Sequence, residues 1–240
     1  QLRAQLAETE NERKTKELEE ARQLQLSMLP KTLPQLPHLD IAVYMKTATE
    51  VGGDYYDFNV GMDGTLTVVI GDATGHGMRA GTMVTSAKSL FNSYAANPDI
   101  LFTFREMTRC IKQMQFQSLA MSMTMLKIQN NRLIMSAAGM PPVYLFRNKH
   151  KIIEEYLIEG MPLGTMDNFP YELKEMGLFS GDTILLMSDG FPELQNANKE
   201  MFGYKRARNS FEEVAEKEPE RIITYLKEVG SRWTGDKEPD

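Results

Sequence analysis

Six apolar segments that resemble β-strands follow one another between residues 41 and 190, and they constrain the fold more than any other feature. They read IAVYMK, TLTVVIGD, AMSMTMLKI, RLIMSAAG, VYLFR and DTILLMSDG. Apolar runs of about four to eight residues, bounded by turn residues, are typical of strands. Short turn signals at Gly61–Gly64 and at Asn130-Asn131 separate neighbouring runs and favour hairpins, in which the strands pair antiparallel.

Helical segments are predicted between these strands, near residues 78–96, 99–118 and 210–233. Asp99 directly follows Pro98 and is placed to cap the second helix. Strand runs with helices segregated between them indicate the α+β class. Because the apolar runs are long and two-faced, we expect the sheets to be covered on both sides.

The first 29 residues form a separate region without glycine or proline, rich in Glu, Lys, Arg, Gln and Leu. This composition strongly favours a helix. Leu18, Ala21 and Met28 occupy heptad-like positions, with Gln25 between them. Two interpretations stay open: a solvated linker helix, or a signalling coiled coil that mediates dimerisation and delivers input from an upstream domain.

A group of prolines separates this helix from the strand-rich part of the chain, at Pro30, Pro34 and Pro37. Proline cannot continue a helix, so the group marks a boundary. We therefore divide the chain into a linker or signalling helix, residues 1–30, and a domain spanning residues 31–240. Since the sequence begins within the helical pattern, we expect it to be a fragment of a longer protein.

Composition narrows the functional classes. The 240 residues carry a formal net charge of -6, which argues against a general nucleic-acid-binding surface. A single cysteine, Cys110, excludes disulfides within the chain and fits the reducing cytoplasm. No apolar run approaches the ~20 residues that a membrane span needs, although the parent protein could still be membrane-attached.

Aspartates recur beside glycines where predicted strands end. Asp72 closes TLTVVIGD, Asp189 closes DTILLMSDG, and Asp240 is the last residue. Asp54 and Asp57 lie in EVGGDYYDF, whose glycines make it poor material for a buried strand. Clustered carboxylates repel one another unless cations neutralise them, and Mg²⁺ and Mn²⁺ prefer such oxygen ligands. The pattern indicates a site where two cations activate a water molecule for attack on phosphorus.

Each of these residues also has a simpler interpretation. Asp72 and Asp189 could be turn residues that bond their own backbone, and this alternative stays open. We expect Asp57 either to be structural or to support a ligand residue, rather than to bind a cation directly. His76 has no neighbours at His/Cys ligand spacing, so a solvated or capping role is expected. We expect Glu193, in DGFPE, to be exposed.

Competing enzyme classes fit the residues less well. The glycine spacing from Gly75 to Gly81 differs by one residue from that of the dinucleotide-binding fingerprint. However, a second helical segment follows where that fold requires a parallel strand, and the acidic residue expected ~20 residues further on is missing. GGDYYDF superficially resembles a diguanylate cyclase hairpin. Cys110 has Phe116 where a cysteine phosphatase has arginine, and no Gly-Lys pair forms a P-loop. A non-enzymatic signalling scaffold is the remaining alternative, and the retained acids favour an enzyme.

Five motifs in order carry a family resemblance: EVGGDYYDF, GDATGHG, AGMPP, MSDGFPE and a terminal acidic segment. This set resembles the bacterial PPM-type metal-dependent serine/threonine phosphatases. The branch is the one that includes stage II sporulation protein E and the stress-response sigma regulator phosphatases. QLQLSMLP also resembles the entry helix of that branch. The resemblance implies two antiparallel sheets packed face to face, with helices on both outer faces.

The resemblance also implies a metal centre with specific ligands. Asp54, Asp72 and the backbone carbonyl of Ala73 would hold one Mn²⁺ or Mg²⁺ ion, and Asp72, Asp189 and Asp240 would hold a second, with Asp72 bridging. A water molecule between the ions would attack a phosphoserine or phosphothreonine in line. The implied substrate is a small phosphorylated anti-sigma-factor antagonist.

Four further residues are expected beside the substrate: Gly53, Gly75, His76 and Gly77. The family continues beyond the terminal acid with a final strand, which residues 31–240 lack. We therefore expect the second ion to be weakly held or absent in this chain.

Overall fold

The computed structural model describes residues 2–46, 51–116 and 118–235. Within these ranges the α-helices are α1 (Leu2–Met28), α2 (Gly77–Tyr94), α3 (Ile100–Gln113), α4 (Tyr204–Val214) and α5 (Pro219–Thr234). The β-strands are β1 (Asp54–Val60), β2 (Leu66–Ala73), β3 (Met121–Gln129), β4 (Arg132–Ala138), β5 (Val143–Arg147), β6 (Ile152–Tyr156), β7 (Lys174–Gly177) and β8 (Thr183–Leu185).

Two antiparallel sheets form the centre of the domain. The larger sheet has the strand order β1-β2-β3-β4-β7 and the smaller sheet has the order β6-β5-β8. Both predicted hairpins are present, since Gly61–Gly64 joins β1 to β2 and Asn130-Asn131 joins β3 to β4. The two asparagines have φ angles of 49° and 62°, in the left-handed region that asparagine tolerates better than most residues.

Side chains alternate between the faces of each strand, and three apolar clusters follow from this alternation. One cluster lies between the two sheets and includes Leu66, Leu126, Met135 and Val143. A second packs the larger sheet against α2 and α3, and includes Val69, Met123, Phe91 and Phe104. A third packs the smaller sheet against α4 and α5, and includes Tyr144, Phe146, Phe211 and Ile222. The predicted sandwich with helices on both outer faces is confirmed.

The predictions for two segments were wrong in opposite directions. Residues 41–46 form no strand; Ile41 instead packs against the cluster between the sheets, beside Leu36 and Leu39. Residues 54–60, described above as poor strand material, form β1. The glycines precede this strand rather than interrupt it, and its aromatic residues suit a pleated, half-buried surface.

Three other boundaries differ from the sequence-based expectation. The run DTILLMSDG is a strand only over Thr183–Leu185, so Asp189 lies four residues beyond β8. The single helix predicted near 210–233 is two helices, because Pro219 begins α5 in the first-turn position that proline favours. The short strands β6 and β7 were not predicted. The helix predicted over residues 1–29 is confirmed as α1.

Asp99 caps α3 as predicted, since its carboxylate accepts a hydrogen bond from the Phe102 amide at 3.0 Å. Among the described helices, none is both long enough and apolar enough to cross a membrane.

Candidate active site

The register of β1 and β2 brings the first two predicted acids together. Asp54 stands directly opposite Asp72 in this antiparallel pair. Residues opposite one another point to the same face of a sheet. Val68 and Ile70, which share the Asp72 face, pack into the cluster between the sheets. The two carboxylates therefore lie at the end of the inter-sheet core.

Asp189 joins this pair from the loop that follows β8 of the smaller sheet. Burial raises the pKa of Asp54, and the charge of Asp189 raises it further, while a hydrogen bond with the Ser188 hydroxyl partly opposes the rise. Burial raises the pKa of Asp72 to about 7, with added repulsion from Asp54, Asp189 and Glu193. Three predicted acids that are distant in sequence are thus close enough to repel one another.

The chemistry of this group fits a hard divalent cation, which would remove the repulsion that raises these pKa values. Within the described ranges, no three Asp, Glu, His or Cys side chains are already gathered into a metal-binding group. Asp240, the expected fourth acid, lies outside the described residues. The assignment of metal ligands therefore stays a prediction.

Gly53 allows the loop before β1 to lie against the end of β2. A Cβ atom at this position would lie 2.6 Å from Asp72 Oδ1 and 2.7 Å from the Ala73 carbonyl oxygen, too close for any side chain. The Ala73 amide donates a hydrogen bond of 2.9 Å to the Gly53 carbonyl. The GGD loop thus lies in direct contact with two of the predicted ligand residues.

The glycine-rich turn after β2 leads directly into α2. Gly75 and Gly77 have φ angles of 89° and 68°, which strongly favour glycine. His76 is exposed at the N-cap position of α2, where its side chain makes no capping hydrogen bond. The Gly77 amide donates to the Val51 carbonyl at 3.1 Å, which ties this turn to the GGD loop. Their proximity to substrate remains a prediction.

Strand direction excludes the dinucleotide-binding alternative. The strand that precedes this turn, β2, is antiparallel to both of its neighbours, β1 and β3. The dinucleotide-binding fingerprint requires a parallel βαβ unit. The glycines therefore serve the close packing of the two loops instead.

Helix α1 also reaches the GGD loop, through Gln25. This side chain is only 4% exposed. Its Nε2 donates to the Gly52 carbonyl at 2.6 Å, and its Oε1 accepts from the Gly52 amide at 3.0 Å. Gly81 of α2 leaves room beside them, since a Cβ there would lie 2.4 Å from Val51 Cγ1. The polar residue in the heptad-like pattern of α1 was the available sequence signal for this contact.

Asp57 belongs to a different environment, although it lies three residues from Asp54. Its side chain is buried on the helix-facing side of β1, where Lys88 of α2 forms an ion pair at 2.6 Å. The Tyr55 hydroxyl donates a further hydrogen bond of 2.8 Å. Asp57 is therefore a neutralised packing residue, in agreement with the structural role expected for it.

Two residues near the acids were not identified from the sequence. Ser188 lies close enough to Asp54 for its hydroxyl to oppose the rise in the Asp54 pKa, and its only sequence signal is its position next to Asp189 in MSDG. Burial raises the pKa of the Tyr204 phenol, and the charges of Asp189 and Glu193 raise it further, so Tyr204 lies near this site. Glu193 is exposed as expected, although its charge still reaches Asp72.

Comparison with known proteins identifies the family. Residues 62–240 match the family described as Stage II sporulation protein E (SpoIIE). The chain belongs to this family. The match covers about three quarters of the sequence and confirms the resemblance inferred from the ordered motifs.

Individual relatives of this SpoIIE-family chain are distant. Phosphoserine phosphatase RsbU of Bacillus subtilis is 25% identical over 187 residues, which cover 76% of this chain and 55% of RsbU. Protein IcfG of Synechocystis sp. is 24% identical over 220 residues, covering 79% of this chain and 34% of IcfG. The chain thus spans only about a third to a half of the length of these relatives.

A solved structure supports the fold independently of these sequence relatives. The RsbU and RsbW domains of Rv1364c from Mycobacterium tuberculosis superpose with a TM-score of 0.65 at 23% identity. The superposition covers 77% of this chain and 52% of that one. At this level of identity, the similarity establishes a shared fold.

Proposed function

We propose that this chain contains the catalytic domain of a metal-dependent protein serine/threonine phosphatase. The observation that carries the proposal is the juxtaposition of Asp54, Asp72 and Asp189, three mutually repelling carboxylates at the end of the inter-sheet core. Membership of the SpoIIE family and the similarity to a relative described as a phosphoserine phosphatase supply the reaction class.

The proposed ligands are those that the family resemblance implies. Asp54, Asp72 and the Ala73 carbonyl would hold one Mn²⁺ or Mg²⁺ ion, and Asp72, Asp189 and Asp240 would hold the second. When bound, such ions lower the pKa of water and neutralise charge on phosphoryl oxygens. The close packing of Gly53 against Asp72 and Ala73 supports the first set, because it aligns two of its three donors.

The chain's own residues would prepare the site in three ways. The Ser188 hydroxyl would donate a hydrogen bond to the Asp54 carboxylate and favour its ionised form. Burial and the neighbouring acids raise the pKa of Asp72 to about 7, so a cation would compete with a proton for this carboxylate near neutral pH. The turn that includes Gly75 and Gly77 places the positive end of α2 nearby, where backbone amides favour a phosphate group.

The proposed substrate is a phosphorylated anti-sigma-factor antagonist, and the proposed location is the cytoplasm. The substrate class rests on the family resemblance, together with the relationship to RsbU. The net charge of -6 and the unpaired Cys110 are consistent with an intracellular partner that is a protein rather than a nucleic acid.

We further propose that residues 1–30 regulate the domain formed by residues 31–240, and that residues 1–29 mediate homodimerisation. The Gln25 contact with Gly52 supports the regulatory proposal, because it joins α1 to the loop that leads directly into Asp54. The exposed Leu24, next to Gln25 on the same helix, supports the dimer. Light scattering on a chain that starts near Lys31 tests the dimer, and an unchanged mass would count against it.

An assay with and without metal tests the activity. We expect hydrolysis of an aryl phosphate and of a serine-phosphorylated protein in Mn²⁺, and loss of both activities in excess chelator. Equal turnover in the two conditions would refute metal dependence.

A catalytically silent signalling module of the same fold is the second candidate. It is favoured by one observation, that the described residues contain no ready-formed group of three metal ligands. Mn²⁺ titration by calorimetry separates the candidates, because the silent module predicts no binding that depends on Asp54 and Asp72.

A further inference from the structure

A buried lysine without an acidic partner lies towards the end of the larger sheet that is opposite to Asp54 and Asp72. Lys127 of β3 stands opposite Thr67 of β2 and is 5% exposed. Its ammonium donates to the Thr67 hydroxyl at 2.7 Å and to the Ala95 carbonyl at 2.7 Å. Along β3, Lys127 is six residues from Met121, which pairs with Ala73, a separation of about 20 Å in a strand.

The contacts of Lys127 leave its charge uncompensated. An ammonium group has three N–H donors, and the two contacts above are with neutral oxygens. Among the described residues, no carboxylate forms an ion pair with this side chain. Burial lowers the pKa of Lys127 to about 8, and the charge of Asp63 only partly opposes the shift. A buried cation without an anion is costly, so the environment favours a negatively charged partner.

A pocket of about 140 Å³ opens beside this ammonium. Its walls combine apolar atoms of Ala96, Pro98 and Ile134 with polar groups that include Lys127. A water molecule occupies about 30 Å³ in the liquid, so a small organic molecule fits this space. The pocket thus offers one positive charge and an apolar wall.

The other charged groups around the pocket limit which anion fits. Asp63 of the β1–β2 turn accepts hydrogen bonds from the Thr65 amide and from Gln129, which keep its pKa low and its carboxylate ionised. Arg132 of β4 is already paired with Glu175 of β7. The two carboxylates would repel a multiply charged ligand, while Lys127 attracts a single negative charge.

We propose that this pocket is a binding site for a small aliphatic monocarboxylate, whose carboxylate pairs with Lys127 and whose hydrocarbon part contacts Ala96 and Ile134. The pocket lies away from Asp54, Asp72 and Asp189, and the proposal does not depend on the proposed phosphatase function. Ligand binding there would neutralise the one buried cation of this pocket.

Calorimetric titration of the full chain with propionate tests the site, in a buffer with excess chelator so that divalent ions cannot bind the ligand. We expect saturable binding, with a dissociation constant on the order of millimolar for so small a ligand. Propionamide, the neutral analogue of the same shape, should bind at least ~10-fold more weakly. Inorganic phosphate at the same concentration should displace little of the bound propionate. Equal binding of propionamide, displacement of propionate by an equal concentration of phosphate, or no saturable binding of propionate would overturn the proposal.

Variants locate the binding. Lys127→Met should weaken propionate at least ~10-fold, whereas Lys149→Met, which removes an exposed lysine elsewhere, should not. Ala96→Leu retains the ammonium but fills the mouth of the pocket, so it should also weaken binding. This second variant decides the question if Lys127→Met fails to fold. Unchanged affinity in Ala96→Leu would place the ligand elsewhere.

The charge of Lys127 adds a third readout. Binding should weaken at about pH 9.5 relative to neutral pH, because the ammonium loses its proton above a pKa of about 8. Asp63 and Glu175 are ionised throughout this range and Arg132 stays charged, so the change reports on Lys127. Affinity that is the same at both pH values would contradict the assignment.

Discussion

Asp54 and Asp57 lie on the same strand, three residues apart, yet their carboxylates have opposite electrostatic environments. Asp57 faces α2, where Lys88 and the Tyr55 hydroxyl neutralise and bond its carboxylate. Asp54 faces the end of the inter-sheet core, opposite Asp72, where burial and neighbouring charge raise the pKa of both acids. One face of β1 therefore carries a compensated acid, and the other carries an uncompensated acid that lies opposite Asp72 of β2.

This difference separates a structural acid, Asp57, from an acid that we propose as a metal ligand, Asp54, on physical grounds. A compensated buried charge stabilises the fold only as a pair, and removal of either partner leaves an isolated charge. Uncompensated acids oppose folding, so a group of them indicates a site where a cation binds. Each prediction below tests one side of this contrast.

The largest effect is expected on the uncompensated face, for Asp72→Asn. Loss of the proposed bridging ligand should lower Mn²⁺-dependent turnover by about 1,000-fold, or ~4 kcal/mol in the activation barrier. Steady-state rates on an aryl phosphate measure it. The control is Asp63→Asn, the same substitution in an exposed turn, and this variant should retain the turnover of the parent chain.

The same variant should not be less stable than the parent chain in chelator above about pH 7. The pKa of Asp72 is raised in the folded state, so ionisation of this carboxyl group opposes folding. The resulting loss of folding stability is absent below pH 3.8 and complete above about pH 7. Urea denaturation at pH 8 checks this. A variant that keeps most of its turnover, or that unfolds, would remove the contrast with Asp57.

On the compensated face, Asp57→Ala should destabilise the protein by about 3–5 kcal/mol, because it leaves the Lys88 ammonium without its partner. Chemical denaturation measures the free energy of unfolding. Glu175→Ala breaks an exposed pair with Arg132 and should cost less than ~1 kcal/mol. Equal effects of the two changes would show that burial of the Asp57 pair has no energetic consequence.

Lys127 extends the contrast to a buried cation. Its pKa is lowered from 10.5 to about 8 on folding, because burial disfavours the charged ammonium. The resulting loss of folding stability is complete below pH 8 and vanishes above 10.5. Lys127→Met should therefore be the more stable protein at pH 7, by up to about 2–3 kcal/mol, with an advantage that declines as pH rises. Denaturation across this pH range measures it. Lys149→Met should show no such trend, and a constant difference for Lys127→Met would disprove the shift.

The smallest effect is expected where α1 holds the loop before Asp54. Gln25→Leu removes two hydrogen bonds to Gly52 and should cost about 1–2 kcal/mol. Hydrogen exchange of the Gly52 amide should accelerate, and the phosphatase rate should change several-fold if α1 is regulatory. Gln23→Leu alters an exposed glutamine two residues away and serves as the control. Unchanged exchange in Gln25→Leu would show that α1 does not hold this loop.

Much of the architecture was accessible from the sequence because it depends on local patterns. Short apolar runs bounded by turn residues, with the turns at Gly61–Gly64 and Asn130-Asn131, were sufficient to predict antiparallel sheets, and composition was sufficient to predict α1. The acids beside glycines, taken in order, were sufficient for the family. Residues 41–46 show the limit: their apolar pattern was that of a strand, but they pair with no strand, and Ile41 packs on the core while Val43 and Tyr44 are exposed.

Only the tertiary structure decided the environment of each acid. Asp54 and Asp57 both stand in one glycine-rich motif, and their faces are assigned by the register with β2 and by the position of α2. The burial of Gln25 against Gly52 and of Lys127 beside its pocket likewise depends on elements distant in the chain. Local sequence sets residue type and spacing, whereas burial and neighbouring charge, which set a carboxylate's pKa, exist only once the sheets and helices have packed.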